Sequence, residues 1–259
     1  MSIVYLASQS PRRRQLLEQL STSMGLQVEL LSPQPGEDTE VLEAVLPREH
    51  PEDYVQRVTG LKLQAGIARL GKRNEEIKGP NGLNAATITT KSTSGSSAFS
   101  ETPIVLASDT TVALDDEILG KPMDAEDARR MLKRLSGRSH WVHTGVAVAW
   151  PGKDLVADHG GLEAQRVGDT TTLTPESQLS GHWQFKQALS SSQVHFVELT
   201  EAWINWVIQT GEPMDKAGAY AIQGHAGSII KRVEGSPTGI MGLPLHETAE
   251  LLRIALTST

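Results

Sequence analysis

Apolar and polar positions divide the chain into short buried strands and amphipathic helices. "IVYLAS" near the amino terminus is rich in β-branched and aromatic residues and predicts a buried strand. In "SQSPRRRQLL", Ser10 is a good N-cap, Pro11 suits the first helical position, and Leu16, Leu17 and Leu20 form an apolar stripe. Leu26 to Leu31 alternate weakly as a second strand, which Pro33, Pro35 and Gly36 break. A helix fits from Pro51 to about Leu70, with Tyr54, Val58, Leu61, Ala65 and Ala68 along one side. Ile104 to Ala107 is continuously apolar, which predicts a strand covered on both faces, with Asp109 at its carboxyl end. Open α/β sheets place their ligands at such ends.

Asp124 caps a predicted helix through Leu135, closed by Gly137, and "HWVHTGVAVAW" reads as a long strand. Val194 to Val197 predicts another strand. Thr200 caps a helix containing Trp203, Trp206 and Val207, ended by Gly211. "SIIKRV" gives a further strand and Leu243 to Leu256 a last helix. Between these elements, residues 74–103 and about 165–193 are polar and rich in Gly, Ser and Thr. They read as two flexible insertions in a single domain spanning 1–259. The pattern as a whole is α/β, and no internal repeat interrupts it.

Composition narrows the function classes. A formal net charge of -7 over 259 residues argues against a broad electrostatic grip on nucleic acid, although local basic patches can still bind small anions. The absence of Cys removes disulfides, thiolate zinc sites and thiol nucleophiles. No apolar run approaches the roughly 18 residues of a membrane helix. The first apolar run is also too short for a signal peptide, so a soluble cytoplasmic protein is expected, with a homodimer left open.

Candidate chemistry begins with Arg12, Arg13 and Arg14, which stand in the first turn of a helix whose dipole is already positive there. A solvated charged face is one reading. The other is a phosphate above the turn, since backbone N–H groups and guanidinium forks both suit its oxygens. Three more polar clusters fall at element ends: Asp109-Thr110, Gly120-Lys121-Pro122, and "EPMDKAGAYAIQG" from Glu212 to Gly224. Singly, Asp109 reads as well as a turn aspartate, Lys121 as a solvated turn residue, and Asp215 with Lys216 as a surface pair. Together they supply a carboxylate for a hard cation, cationic groups for phosphates and amide positions for a base, which is the combination that phosphoanhydride chemistry needs. Neither GxxxxGK[ST] nor GxGxxG occurs, so a nucleotide site here is of another kind. His140 and His143, three apart on a strand, face opposite sides and do not share a metal.

Four stretches stand in order along the chain: "LASQSPRRRQLL", "LASDTTVALDDEILGKPMDAEDARRMLKRLSGRSHWVHTGVAV", "EPMDKAGAYAIQG" and "IMGLPL". Through them the sequence resembles the Maf family of nucleotide pyrophosphatases. The likeness implies a twisted mixed sheet flanked by helices, with two lobes around a central cleft. It also implies metal-dependent hydrolysis of nucleoside triphosphates to monophosphate and pyrophosphate, with Mg²⁺ or Mn²⁺ as cofactor. Ser8, Arg12 and Arg13 match the family's phosphate-binding turn, Lys62 the lysine of its second helix, Asp109 its metal-binding or water-activating acid, and Lys121 its GKP-type lysine. Thr110 and Gln223 match positions associated with the base. Glu37 is the nearest candidate for the early acid that would be a second catalytic and metal-binding carboxylate. The resemblance points to the subgroup acting on dTTP and UTP. Its rivals are a noncatalytic nucleotide-binding regulator of cell division and a pyrophosphatase for 7-methyl-GTP or other modified nucleotides.

Overall fold

The computed structural model describes residues 2–34, 37, 40–78, 102–152, 166–167, 170–171 and 183–258. In chain order the elements are β1 (Ile3–Leu6), α1 (Pro11–Met24), β2 (Gln27–Leu30), α2 (Pro51–Lys78), β3 (Ile104–Leu114), β4 (Glu117–Leu119), α3 (Ala125–Leu135) and β5 (Ser139–Pro151). They continue with β6 (Arg166–Val167), β7 (Thr170–Thr171), β8 (Trp183–Phe196), α4 (Glu201–Gln209), β9 (Ile230–Glu234), α5 (Pro237–Ile240) and α6 (Leu245–Ser258). The sheet runs β2-β1-β3-β5-β8-β7-β6, with β4 added beside β3 and β9 beside β8. β1 pairs in parallel with β2 and β3, while the remaining pairs are antiparallel, so the sheet is mixed.

The expected caps are in place: the side chains of Ser10, Asp124 and Thr200 accept from Arg13 N, Asp127 N and Trp203 N. Each relieves one of the unpartnered N–H groups of a first helical turn. The long strands β3, β5 and β8 carry two cores. Leu6, Leu17, Leu106, Val148 and Leu252 close one beneath α1 and α6, and Leu119, Leu132, Leu135, Phe196 and Ile204 close the other beneath α3 and α4. On the sheet's other side, Leu63, Ile67 and Leu70 of α2 cover Val105, Ala107 and Ala147.

Three boundaries differ from the sequence reading. Asp109 lies in the middle of β3, because pairing with β5 continues past it with Asp109 opposite Gly145 and the apolar run resumes at Val112. The stripe of α2 stops near Leu70 but the helix continues to Lys78. β8 starts at Trp183, eleven residues before the predicted strand and inside the expected second insertion. Its buried alternation begins in polar letters, at Ser190 and Ser192, and Ser192 accepts from Ser236 N at 2.9 Å, while buried Gln187 on the opposite face donates to Gln56 O at 2.9 Å. A period of two carried by Ser is invisible to a search for apolar residues. Most of both expected insertions lies outside the described residues.

His140 and His143 do face opposite sides. His140 is 1% exposed, with Nε2 2.7 Å from Tyr220 Oη and its ring edge-on to Phe196 and Tyr220. Burial, helped by nearby His195, pulls its pKa down to about 3. The folded protein therefore keeps this ring neutral, whereas the unfolded chain protonates near pH 6.5. Its stabilising effect is complete above pH 6.5 and is lost as pH falls towards 3, at about 1.4 kcal/mol per unit. Urea unfolding at pH 7 and 5.5 should show wild type losing about 1 kcal/mol more than His140→Gln. Equal losses would contradict the neutral buried ring.

Candidate active site

The cleft opens where β3 has no strand partner on one edge. Parallel pairing with β1 ends at Leu106 and antiparallel pairing with β4 begins at Val112, so the stretch between them faces open space. The chain leaving β1 turns at Ser8 to Arg13 into α1 and brings that helix's N-terminus to the gap. A cavity of about 600 Å³ lies there, lined by Ser8 to Arg13, Asp109 to Val112, Gly120, Lys121, Lys216 and Tyr220 to Gln223, among others. Six cationic side chains line it (Arg12, Arg13, Lys62, Arg69, Lys121, Lys216) against three carboxylates (Glu43, Asp109, Asp215). In a chain of net charge -7, this local positive excess selects for an anion.

At the floor, Lys62 Nζ donates to Asp109 Oδ1 at 2.5 Å and to Glu43 Oε1 at 2.7 Å, so one ammonium joins two carboxylates. Lys121 Nζ reaches the other Glu43 oxygen at 3.2 Å. Burial pushes the Glu43 carboxyl up, but Lys62 and Lys121 together outweigh it and hold the group below the usual carboxylate range, hence ionised. On the opposite side Arg13 Nη2 lies 4.0 Å from Asp109 Oδ1. Its Nε donates to the Gly242 carbonyl at 2.9 Å and its Nη2 to Thr110 Oγ1 at 3.3 Å. Burial lowers the Arg13 pKa despite Asp109 and Glu43, yet a guanidinium stays charged in proteins.

Two glycines are required by this geometry. Gly242, at φ +111°, turns its carbonyl to both Arg13 and Ser108 Oγ. Gly218, at φ +67°, donates its N–H to Gly120 O at 3.0 Å and ties two cleft loops together. A Cβ at Gly218 would lie 2.9 Å from Val112 Cγ1 as well as in a left-handed backbone region.

Of the residues singled out in the sequence, Ser8, Arg12, Arg13, Lys62, Asp109, Thr110, Lys121 and Gln223 all line the cleft. Ser8 Oγ accepts from Ser10 N at 3.2 Å and shapes the turn. Thr110 Oγ1 receives both Arg13 and Thr144 Oγ1, the latter at 3.1 Å. Glu37 departs from expectation. Its carboxylate is taken by the buried guanidinium of Arg69 at 2.5 to 3.1 Å, because that charge needs a counter-ion, and the acid that meets Lys62 is Glu43. Glu43 sits in a short helical turn, Glu40–Glu43, amid many acids, and no spacing marks it out. Tyr54 was legible only as part of an apolar stripe, although its hydroxyl donates to Glu43 O at 3.0 Å. Thr144 and Ser108 gave no signal, since single hydroxyls inside strands carry no pattern.

An anion-selective cleft with a helix N-terminus on one wall and carboxylates on its floor defines a phosphate-ester or phosphoanhydride-binding protein. The chain belongs to the Maf family, whose profile, described as Maf-like protein, matches residues 3–255. Similar curated relatives include a dTTP/UTP pyrophosphatase of Burkholderia pseudomallei, 45% identical over 97% of this chain and 93% of the relative. Proteins of the same name from Polaromonas sp. and Cupriavidus pinatubonensis are each 44% identical over 97% of this chain, and over 95% and 96% of their own lengths.

Proposed function

We propose that this protein hydrolyses the α–β phosphoanhydride of dTTP and UTP, releasing the monophosphate and pyrophosphate. The observation that carries this reading is the Asp109–Lys62–Glu43 cluster facing Arg13 across one cleft. The names of relatives at 44–45% identity over nearly the whole chain support the choice of substrate.

Among the described residues no group of three His, Asp or Glu side chains converges on a common point. The donor chemistry nevertheless fits a hard cation such as Mg²⁺ or Mn²⁺, which takes one or two carboxylates and completes its shell from phosphate and water. Asp109 and Glu43 would hold it, and it would supply neutralisation of the phosphate charge when bound. Arg13 and the α1 N-terminus grip phosphate oxygens from one side, while Lys62 and Lys121 approach from the other and favour the charge that develops on pyrophosphate. Lys62 and Arg13 both address Asp109 Oδ1, which leaves Oδ2 to accept the proton of the attacking water. We place the base against Thr110 and Gln223, which also line the cleft.

Every group named lies on one chain, so the reading requires neither a homodimer nor nucleic acid. No helix among the described residues is long and apolar enough to cross a membrane. A cytoplasmic location is part of the proposal.

The direct test is a panel of canonical and modified triphosphates with pyrophosphate detection. dTTP and UTP should head the panel, chelation should abolish release, and Mg²⁺ or Mn²⁺ should restore it. Faster turnover of 7-methyl-GTP, or binding without turnover, would contradict the assignment. Arg13→Ala should cost about 1.5–3 kcal/mol of substrate interaction, read as a fall in kcat/KM of about 10- to 150-fold. Unchanged constants would remove Arg13 from the phosphate site.

A further inference from the structure

Three pairs of opposite charge tie the connection between β2 and α2 onto that helix. Glu37, Glu43 and Glu49 are each six residues from the next, and their partners run the other way along α2 as Arg69, Lys62 and Arg57. At one end, Arg69 Nε and Nη2 donate to Glu37 at 2.9 and 2.5 Å while Nη1 donates to Leu31 O at 3.3 Å. A single guanidinium thus grips the residue after β2 and an acid six positions further on. At the other end, Arg57 Nε and Nη2 donate to Glu49 at 2.5 and 2.8 Å, and Nη2 also reaches Ala44 O at 2.8 Å. Of the three acids only Glu43 lines the cleft.

The two outer pairs have the features of anchors. Each is a forked guanidinium–carboxylate contact, the most geometrically specific ion pair available to a protein. Each also has one partner whose side chain is largely covered: those of Arg69 and Glu49 are both 7% exposed. The middle pair differs, since a lysine holds it and shares it with Asp109 and Lys121. A carboxylate on a connecting segment is useful for chemistry only if the segment is held to a fraction of an ångström.

We infer that Glu37–Arg69 and Glu49–Arg57 are positioning pairs, which fix the segment at both ends so that the Glu43 carboxylate is presented to Lys62 and Lys121. Arg69, although it borders the cleft, acts through Glu37 and not on the substrate. This inference rests on the pyrophosphatase reading for its kinetic consequence, but the anchoring itself is read without substrate.

The test uses the full chain with Glu37→Gln, Arg69→Met and Glu49→Gln, each checked for folding by thermal melting. Amide hydrogen exchange across residues 40–46 should quicken in all three variants while β3 and β5 keep wild-type protection. Kinetically, each should lower kcat about tenfold with KM for dTTP within about twofold. In a Glu43→Gln background, followed with enzyme in excess over substrate, adding Glu37→Gln should change the rate less than about twofold. Unchanged exchange across 40–46 would overturn the inference. So would a full tenfold loss in the Glu43→Gln background, or a raised KM for Arg69→Met alone, which would mark direct phosphate contact. Failure of the wild-type protein to release pyrophosphate would strike the activity reading and leave the exchange result to judge the anchors.

Discussion

Asp109→Asn is expected to lower kcat/KM for dTTP and UTP by about 10²- to 10⁴-fold, the span typical of a lost general base. The substitution keeps the shape of the side chain and an acceptor for Lys62, so the cluster does not collapse for steric reasons. Lys62 also retains Glu43 at 2.7 Å, so no buried ammonium is left without a counter-ion. The strand around position 109 is held by its pairing with β5, from Val105 to Ala113, which the change does not touch. Steady-state kinetics with a melting curve separates the outcomes. Full turnover by a folded variant would take Asp109 out of the chemistry, and lost activity with lost folding would make it a structural residue.

Lys62→Met is expected to cost about 10²-fold or more in kcat and to move the pH profile as well. Without the ammonium, Asp109 and Glu43 face each other with only Arg13 and Lys121 nearby, and like charges at short range disfavour double ionisation. Glu43 is held low chiefly because Lys62 opposes the upward push of burial. Removing that lysine raises the carboxylate's proton affinity, so the acidic limb of the kcat profile should shift to higher pH. Lys62→Arg, which keeps the charge, should leave the limb closer to wild type. A limb that does not move in Lys62→Met would show that the lysine serves binding alone.

Much of the fold is legible from local chemistry. Ser10, Asp124 and Thr200 mark helix starts because a capping side chain solves a problem confined to one turn, and all three cap as expected. Elements defined by tertiary pairing were harder to read. The second half of β3 and residues 183–193 of β8 are strands because β5 lies between them, and polar letters within them, Asp109-Thr110-Thr111 and Ser190-Ser191-Ser192, conceal the period. The same division holds in the cleft. Ser8, Arg13 and Lys121 stand out because each sits in a compact motif at an element end, and Asp109 because it breaks an apolar run inside β3. Glu43 does not, because it is set by two ion pairs that join residues 32 and 8 positions apart in sequence. Glu37 is the nearest candidate for the early acid that the family resemblance implies, with Pro33, Pro35 and Gly36 disturbing the spacing, and the position of Arg69 explains why it serves elsewhere.

The central claim is that water attacks the α-phosphorus of a triphosphate held between Arg13 and the Asp109–Lys62–Glu43 cluster. Turnover of UTP in water enriched in heavy oxygen, with mass analysis of both products, tests it most directly. The account requires the label in UMP and none in the released pyrophosphate. Label in pyrophosphate, or products of UDP and labelled phosphate, would contradict it.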